Sequence, residues 1–401
     1  MNSFEVHIPT YLFFGSDKAD PFFDKLSSYG SHALIVIGGG SVKRTGYFDE
    51  VTSHLSTRDI KWTLFEGIEP NPHAQTIDKA AAIGKKNGVD FILAFGGGSV
   101  MDASKAIAGL IHDDQKNIWP FVLGEPKYKK LKGALPVATI PTTAATASEI
   151  TPHAVISNPE VKGKSPISYS FFKPVTSWLN PSYHTSLPLE TTRDGASDIF
   201  SHVIENYLLG GNDSPLADRY SEGIMQTVFE TLPKVLKDPE NEAYRGDLLW
   251  ASTLALSTIQ VAGRVPTVFI LHNLEHALSG YNPELAHGRG LATLYPAYFK
   301  WLMENNRVVD RLALLGNKLF DIQTDNEDEA AAECIAMFEE WLKENGLYQR
   351  LSDVGVPSDA FSEVADYAIR VYGGGEPLDA AGHLGKKEII EIFNKTEEQT
   401  G

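Results

Sequence analysis

The chain predicts a doubly wound α/β domain over residues 1–185 followed by an all-α domain over residues 186–401. Three observations carry this. In the first half, short unbroken apolar runs alternate with helical stretches. Two of those runs end in Gly-Gly-Gly-Ser. After Pro188 long helical periodicities replace them.

The strand candidates come in order: Ala33-Leu-Ile-Val-Ile37, Trp62-Thr-Leu-Phe65, Phe91-Ile-Leu-Ala-Phe95 and Leu135-Pro-Val-Ala-Thr-Ile140. Unbroken apolar runs are what strands of a parallel sheet need when both faces are covered. Helical stretches such as residues 74–86 lie between them, the alternation of a doubly wound fold. Beyond the boundary, placed near residue 185 in the stretch from Leu179 to Pro188, seven segments read as helices: 190–208, 215–236, 243–263, 267–279, 290–316, 327–345 and 358–371. The acidic run Asp325 to Glu329 reads as a helix start, where carboxylates complement the helix dipole. Two packed domains would place a site in the cleft between them.

Composition narrows the function classes. The formal net charge of −17 makes a nucleic-acid backbone or an anionic membrane surface a poor partner. A single cysteine, Cys334, allows no internal disulfide and sits in a helical pattern, so it reads as a packed thiol. No leader-like N-terminus and no apolar stretch of about 18 residues is present, and a cytoplasmic enzyme is the expectation.

The glycine loops point to phosphate. Gly96, Gly97, Gly98 and Ser99 follow a strand and open a helix, with Asp102 in its first turn. Bare backbone approaches an anion closely, and the helix aims free N–H groups at it. Asp102 would orient the loop or meet a ribose. Such turns also serve purely structural ends, so this loop alone decides nothing. Gly38, Gly39, Gly40 and Ser41 follow an earlier strand, where many NAD-binding folds put a carboxylate for the ribose 2′-hydroxyl. Here small residues and the cations Lys43 and Arg44 suit a 2′-phosphate, which favours NADP(H); the alternative is a plain turn with solvated cations. A third loop, with Thr142, Thr143, Thr146 and Ser148, is dense in hydroxyls that suit either a cofactor pocket or a helix cap. With the alternating strands and helices, the loops make a Rossmann-like dinucleotide-binding domain the expectation for the first half.

The second half carries a metal pattern. Asp198 and His202 stand at i and i+4, on one face of a helix, and His272, His276 and His287 follow in a second cluster. Read alone, His272-Asn-Leu-Glu275-His276 also matches the His-x-x-Glu-His pattern of inverted zinc peptidases. That reading leaves Asp198, His202, His287 and the glycine loops without a role.

In this order the motifs resemble the iron-containing (group III) alcohol dehydrogenases, which share a dehydroquinate synthase-like architecture. The segments are Phe65 to Pro72, Gly96 to Lys105, Pro141 to Glu149, Ser186 to Pro188, Gly195 to Tyr207, His272 to His276 and His287-Gly288. Within the family the first loop is most similar to the NADPH-dependent butanol dehydrogenase and aldehyde reductase branch. The resemblance implies that Asp198, His202, His272 and His287 hold one divalent metal, Fe(II) in the cell or Zn(II) in a purified sample, and that His276 relays a proton. It implies cofactor contacts from Gly38, Gly39, Ser41, Asn71, Gly96, Gly97, Gly98, Ser99, Asp102, Thr142, Thr143, Ser148 and Leu187. It further implies hydride transfer between primary alcohols and aldehydes with NADP(H) preferred, and a homodimer. A glycerol dehydrogenase-type polyol oxidoreductase and a dehydroquinate synthase-like lyase are the alternatives on this fold.

Some positions depart from the family pattern. Ala145 stands where the hydroxyl loop usually has Gly, with Ala147 another small position, and the spacing from His276 to His287 is one residue longer. Arg264 is either near the substrate entrance, where it would favour an anionic or polar substrate, or a surface residue.

Overall fold

The computed structural model describes residues 1–125, 129–379 and 383–399. The chain forms two compact units, one of residues 8–188 with 238–253, the other of residues 1–7, 189–237 and 254–401.

The first unit is built on a six-stranded parallel sheet. Its strands are β1 (Tyr11–Phe14), β2 (His32–Ile37), β3 (Lys61–Glu66), β4 (Phe91–Gly96), β5 (Val137–Pro141) and, after a hairpin of β6 (His153–Asn158) and β7 (Gly163–Ser168), β8 (Thr176–Leu179). Their spatial order is β1-β8-β5-β4-β2-β3, every pair parallel. The helices are α1 (Ala19–Leu26), the single turn α2 (Ser41–Arg44), α3 (Tyr47–Ser56), α4 (Ala74–Asn87) and α5 (Gly98–His112).

Both sheet faces are covered, which is why the strands read as unbroken apolar runs. Leu34, Val36, Ile92 and Ala94 point to the core shared with α4 and α5; Ala33, Ile35, Ile37, Phe91, Leu93 and Phe95 point to the core shared with α1 and α3. Each large side chain fully buried here contributes about 1.5–3 kcal/mol. The β6–β7 hairpin was illegible as a hairpin because Lys164 and Pro166 break the alternation of β7. Residues 238–253, beyond a single boundary near 185, join this unit through definite contacts. Trp250 meets Phe14 edge to face at 5.9 Å, and the Thr253 hydroxyl donates to Glu149 at 2.6 Å.

The second unit is helical. It comprises α6 (Leu189–Leu209), α7 (Pro215–Lys237), the end of α8 (Glu242–Ala255), α9 (Ile270–Tyr281), α10 (His287–Glu304), α11 (Val309–Phe320), α12 (Glu327–Glu344), α13 (Phe361–Tyr372) and α14 (Lys386–Thr396), with one two-residue strand pair, 378–379 and 383–384. Its core stacks Phe200, Phe229, Phe338 and Trp341. Two predicted helices are interrupted. The segment 243–263 stops at Ala255 and re-forms as a short 3-10 turn over Thr258–Val261, before Gly263 at φ 79°. The segment 290–316 splits where Asn306 and Val308 turn left-handed. The acidic run behaves as expected: the Asn326 side chain accepts from the N–H groups of Asp328 and Glu329, opening α12. Cys334 is buried on that helix, and burial pushes its thiol up to about 12. No described helix is long and apolar enough to cross a membrane.

Candidate functional site

In the first unit the chain order of strands reverses between β2 and β4, which are neighbours in the sheet although β3 intervenes in sequence. Open α/β sheets bind ligands outside the carboxyl ends of strands at such a point. The three polar loops leave from there. Val36 pairs with Ala94 and Gly96 with Pro141, so the Gly38, Gly96 and Thr142 turns are adjacent.

The glycines are required by contact. A Cβ on Gly97 would lie 2.8 Å from Thr143 Oγ1, and one on Gly98 would lie 2.5 Å from Thr146 Cγ2. The hydroxyl loop therefore rests on the bare backbone that opens α5. Thr142 donates its N–H to Gly96 O at 3.0 Å, and Ser99 Oγ accepts from the N–H of Asn71 at 3.2 Å. Asn71 adopts φ 55°, a region asparagine tolerates. Ala147 is left-handed too, at φ 50°, where glycine would be free of strain.

Asp102 and Ser148 face inward instead. Ser148 Oγ donates to Asp102 at 2.5 Å, Asp102 accepts from Val155 N at 2.8 Å, and Lys105 Nζ donates to Ser148 Oγ and His153 O, each at 2.7 Å. Of the two roles open to Asp102, these bonds are those of orienting the loop. Leu187 lies in the turn before α6, its carbonyl accepting from Arg245 at 3.3 Å. At the first loop, Gly39 and Ser41 are exposed, Lys43 pairs with Glu66, and Arg44 donates to Gly39 O at 3.0 Å.

In the second unit Asp198 and His202 share one face of α6, His272 lies in the first turn of α9, and His287 opens α10. All three imidazoles turn Nε2 toward one oxygen, Asp198 Oδ1, at 3.5 Å from His202, 3.7 Å from His272 and 3.5 Å from His287. These spacings are too long for hydrogen bonds. With ligand distances of about 2.0–2.2 Å, tetrahedral neighbours lie about 3.3–3.6 Å apart, close to the spacing of each imidazole from Asp198 Oδ1, and the ligand atoms of Asp198, His202 and His272 all lie within 4.8 Å of one another. Asp198 Oδ1 and His272 Nε2 are buried without a hydrogen bond, a costly arrangement unless a cation completes it. The donor set fits a divalent metal.

The surroundings favour positive charge. Burial opposes ionisation of Asp198, yet His202 and His287 hold it well below the usual carboxylate range. Burial likewise disfavours the His272 imidazolium, but Glu205 and Asp198 outweigh it and hold the ring up at about 10. Two buried glutamates stand behind the imidazoles: Glu205 on His272 Nδ1 and Glu275 on His287 Nδ1. Carboxylates in that position orient a ligating histidine and raise its basicity. Neither role was read from the sequence, although Glu205 stands at i+7 from Asp198, on the same helical face. Glu275 was legible only as the base of a peptidase, and its carboxylate is instead hydrogen-bonded to His287.

His276, one turn beyond His272, stacks its ring on His287 at 5.2 Å between centroids. Asp198, His202 and His272 form one cluster of possible ligands among the described residues, and Glu275, His276 and His287 form a second. The glycines of the His287 segment are dictated by packing. A Cβ on Gly288 would lie 1.8 Å from Asp194 O, and one on Gly290 would lie 2.8 Å from Glu275 Cγ. Arg264 is not a surface residue. It is 5 % exposed and pairs with Asp218 at 2.6 Å, an oxygen it shares with Arg311.

Both halves find relatives. Residues 9–181 match the iron-containing alcohol dehydrogenase family, and residues 192–396 match the C-terminal domain of the Fe-containing alcohol dehydrogenase family. NADH-dependent butanol dehydrogenase B of Clostridium acetobutylicum is 35% identical over 398 residues, covering 99% of this chain and 100% of that one. The NADPH-dependent aldehyde reductase YqhD of Escherichia coli is 34% identical, covering 89% and 90%. The crystal structure of NADH-dependent butanol dehydrogenase A from Thermotoga maritima superposes with a TM-score of 0.92 at 30% identity, covering 98% of each chain. The family models cover both halves and the fold is shared along the whole length, so the chain belongs to the iron-containing, NAD(P)-dependent alcohol dehydrogenases.

Proposed function

We propose that the protein interconverts primary alcohols and aldehydes with NADP(H) preferred over NAD(H), running chiefly as an aldehyde reductase. The observation that carries the reading is the convergence of three imidazoles on Asp198 Oδ1. Asp198, His202, His272 and His287 would hold the metal, and one carboxylate with three imidazoles suits Fe(II) or Zn(II). When bound, the metal supplies Lewis-acid polarisation of the substrate oxygen, and the nicotinamide supplies or accepts the hydride. The chain's own residues bind and orient. Gly96, Gly97, Gly98 and Ser99 cradle the pyrophosphate at the start of α5. Asn71 braces Ser99, while Thr142 and Thr143 line the cofactor further along and Leu187 packs near the nicotinamide. Asp102 and Ser148 keep the hydroxyl loop in place from behind. His276 passes the proton between substrate oxygen and solvent.

Support for NADP(H) comes from the first loop. Gly38, Gly39 and Ser41 leave room for a 2′-phosphate, and Lys43 and Arg44 are exposed beside them. The Lys43–Glu66 pair is solvent-exposed, an arrangement worth about 0–1 kcal/mol, so a phosphate can recruit Lys43. Named relatives include both NADH- and NADPH-dependent enzymes, so kinetics must decide. The test is reduction of butyraldehyde by Fe(II)- or Zn(II)-loaded protein with each cofactor. A kcat/KM favouring NADPH by about 10-fold or more, about 1.4 kcal/mol, is expected; equal use or an NADH preference overturns the cofactor assignment. No turnover with either, across a panel of aldehydes, overturns the reductase reading.

A further inference from the structure

Glu205 lies on the face of α6 that carries Asp198 and His202, and is 2 % exposed. Its two oxygens do different things. Oε1 accepts the Nδ1–H of His272 at 2.5 Å, and Oε2 accepts the backbone N–H of Leu271 at 2.7 Å. Leu271 is the second residue of α9, whose N-cap residue, Phe269, makes no side-chain cap. The first-turn N–H groups of a buried helix need acceptors from elsewhere. A carboxylate is the strongest such acceptor and is also favoured by the helix dipole. One side chain thus caps α9 and grips the imidazole on its first turn. With Nδ1 committed, Nε2 is the ring atom left to face Asp198.

We propose that Glu205 is the positioning residue of the metal centre: by tying the first turn of α9 and the His272 ring to α6, it sets how tightly the divalent ion is held, without touching ion or substrate. Glu275 does not duplicate this. It belongs to α9 itself and reaches His287 on α10, whereas Glu205 links the α6 ligands to the α9 ligand. The inference rests on the reading of Asp198, His202, His272 and His287 as ligands.

Glu205→Gln is nearly isosteric. Its amide oxygen accepts from one of the two N–H donors, while its NH2 group confronts the other. Chelator-stripped full-length protein is titrated with Zn(II) against a chromophoric chelator, and with Co(II), whose visible bands report ligand geometry. Wild type should bind one ion. Glu205→Gln should bind about 10–100-fold more weakly, with shifted Co(II) bands, at an unchanged dissociation constant for NADPH. A folded Glu205→Gln with wild-type affinity and wild-type bands overturns the proposal, because a merely structural cap would lower the melting temperature and leave both alone. If Glu205→Gln does not fold, Glu205→Asp decides. It keeps the charge but loses one methylene of reach, and wild-type affinity there overturns the proposal equally. Failure of the ligand reading is distinguishable: wild type would then bind no stoichiometric ion, or Asp198→Ala would bind as well as wild type.

Discussion

The cofactor loops of the sheet unit and the metal cluster of the helical unit are built from different materials. The loops use bare backbone, hydroxyls and tight turns at Gly97, Gly98 and Thr142. The cluster uses side chains throughout, with carboxylates in and behind it. Burial acts on basic groups in both units with opposite results. In the sheet unit it pushes Lys105 down to about 8 and His184 to about 3. In the helical unit His272, equally buried, is held up at about 10 because Glu205 and Asp198 outweigh burial. Burial alone therefore does not decide charge in this molecule; the carboxylate in contact does. On the proposed reading, one unit meets an anion with neutral N–H groups and the other meets a cation with carboxylates.

The largest expected effect comes from Asp198→Ala, which removes the atom on which three imidazoles converge. Losing several kcal/mol of charge stabilisation lowers butyraldehyde turnover by about 10³-fold or more. Elemental analysis should show the ion gone while NADPH binding, followed by fluorescence, persists. Joint loss of both would break the division of labour.

A second contrast separates the two glycine sites. Gly288→Ala would put a methyl 1.8 Å from the backbone oxygen of Asp194, which cannot swing away. A cost of about 3 kcal/mol or more is expected, read as a lower melting temperature and weaker metal retention. Gly98→Ala meets a side chain, Thr146, at 2.5 Å. It should raise the KM for NADPH several-fold and leave metal content alone. Reversed readouts would sink the comparison.

The smallest effect is electrostatic. His184 donates Nε2–H to Pro141 O and is kept neutral by burial at about 3, against 6.5 unfolded. Below pH 6.5 the unfolded chain takes up the proton and the folded one does not, so stability is lost as pH falls toward 3. The slope contributed is about 1.4 kcal/mol per pH unit. His184→Gln should flatten the decline in melting temperature between pH 7 and 5.5; an unchanged slope would assign the acid sensitivity to other groups.

Much of this was legible before any coordinates. The unbroken apolar runs of β2 and β4 announce a sheet covered on both faces, and the glycines that end them announce turns without side chains. Asp198 and His202 announce a shared helical face by spacing alone. Other features were not legible. Arg264 read as either an entrance or a surface residue because nothing local shows that it pairs with Asp218 in the interior. Asp102 read as either orienting the loop or meeting a ribose because nothing local shows that Ser148 and Val155 hydrogen-bond to it.

Periodicity, turn chemistry and i,i+4 spacing are properties of adjacent residues, so the sequence by itself determined the α/β and all-α halves, the glycine loops and the candidate ligands. Only the tertiary structure decided that three imidazoles present Nε2 to one oxygen, that Glu205 holds a histidine 67 positions away, and that the β2, β4 and β5 loops are neighbours. The physical reason is that local propensity fixes which face a side chain occupies, whereas its partner is fixed by packing between segments far apart in the chain.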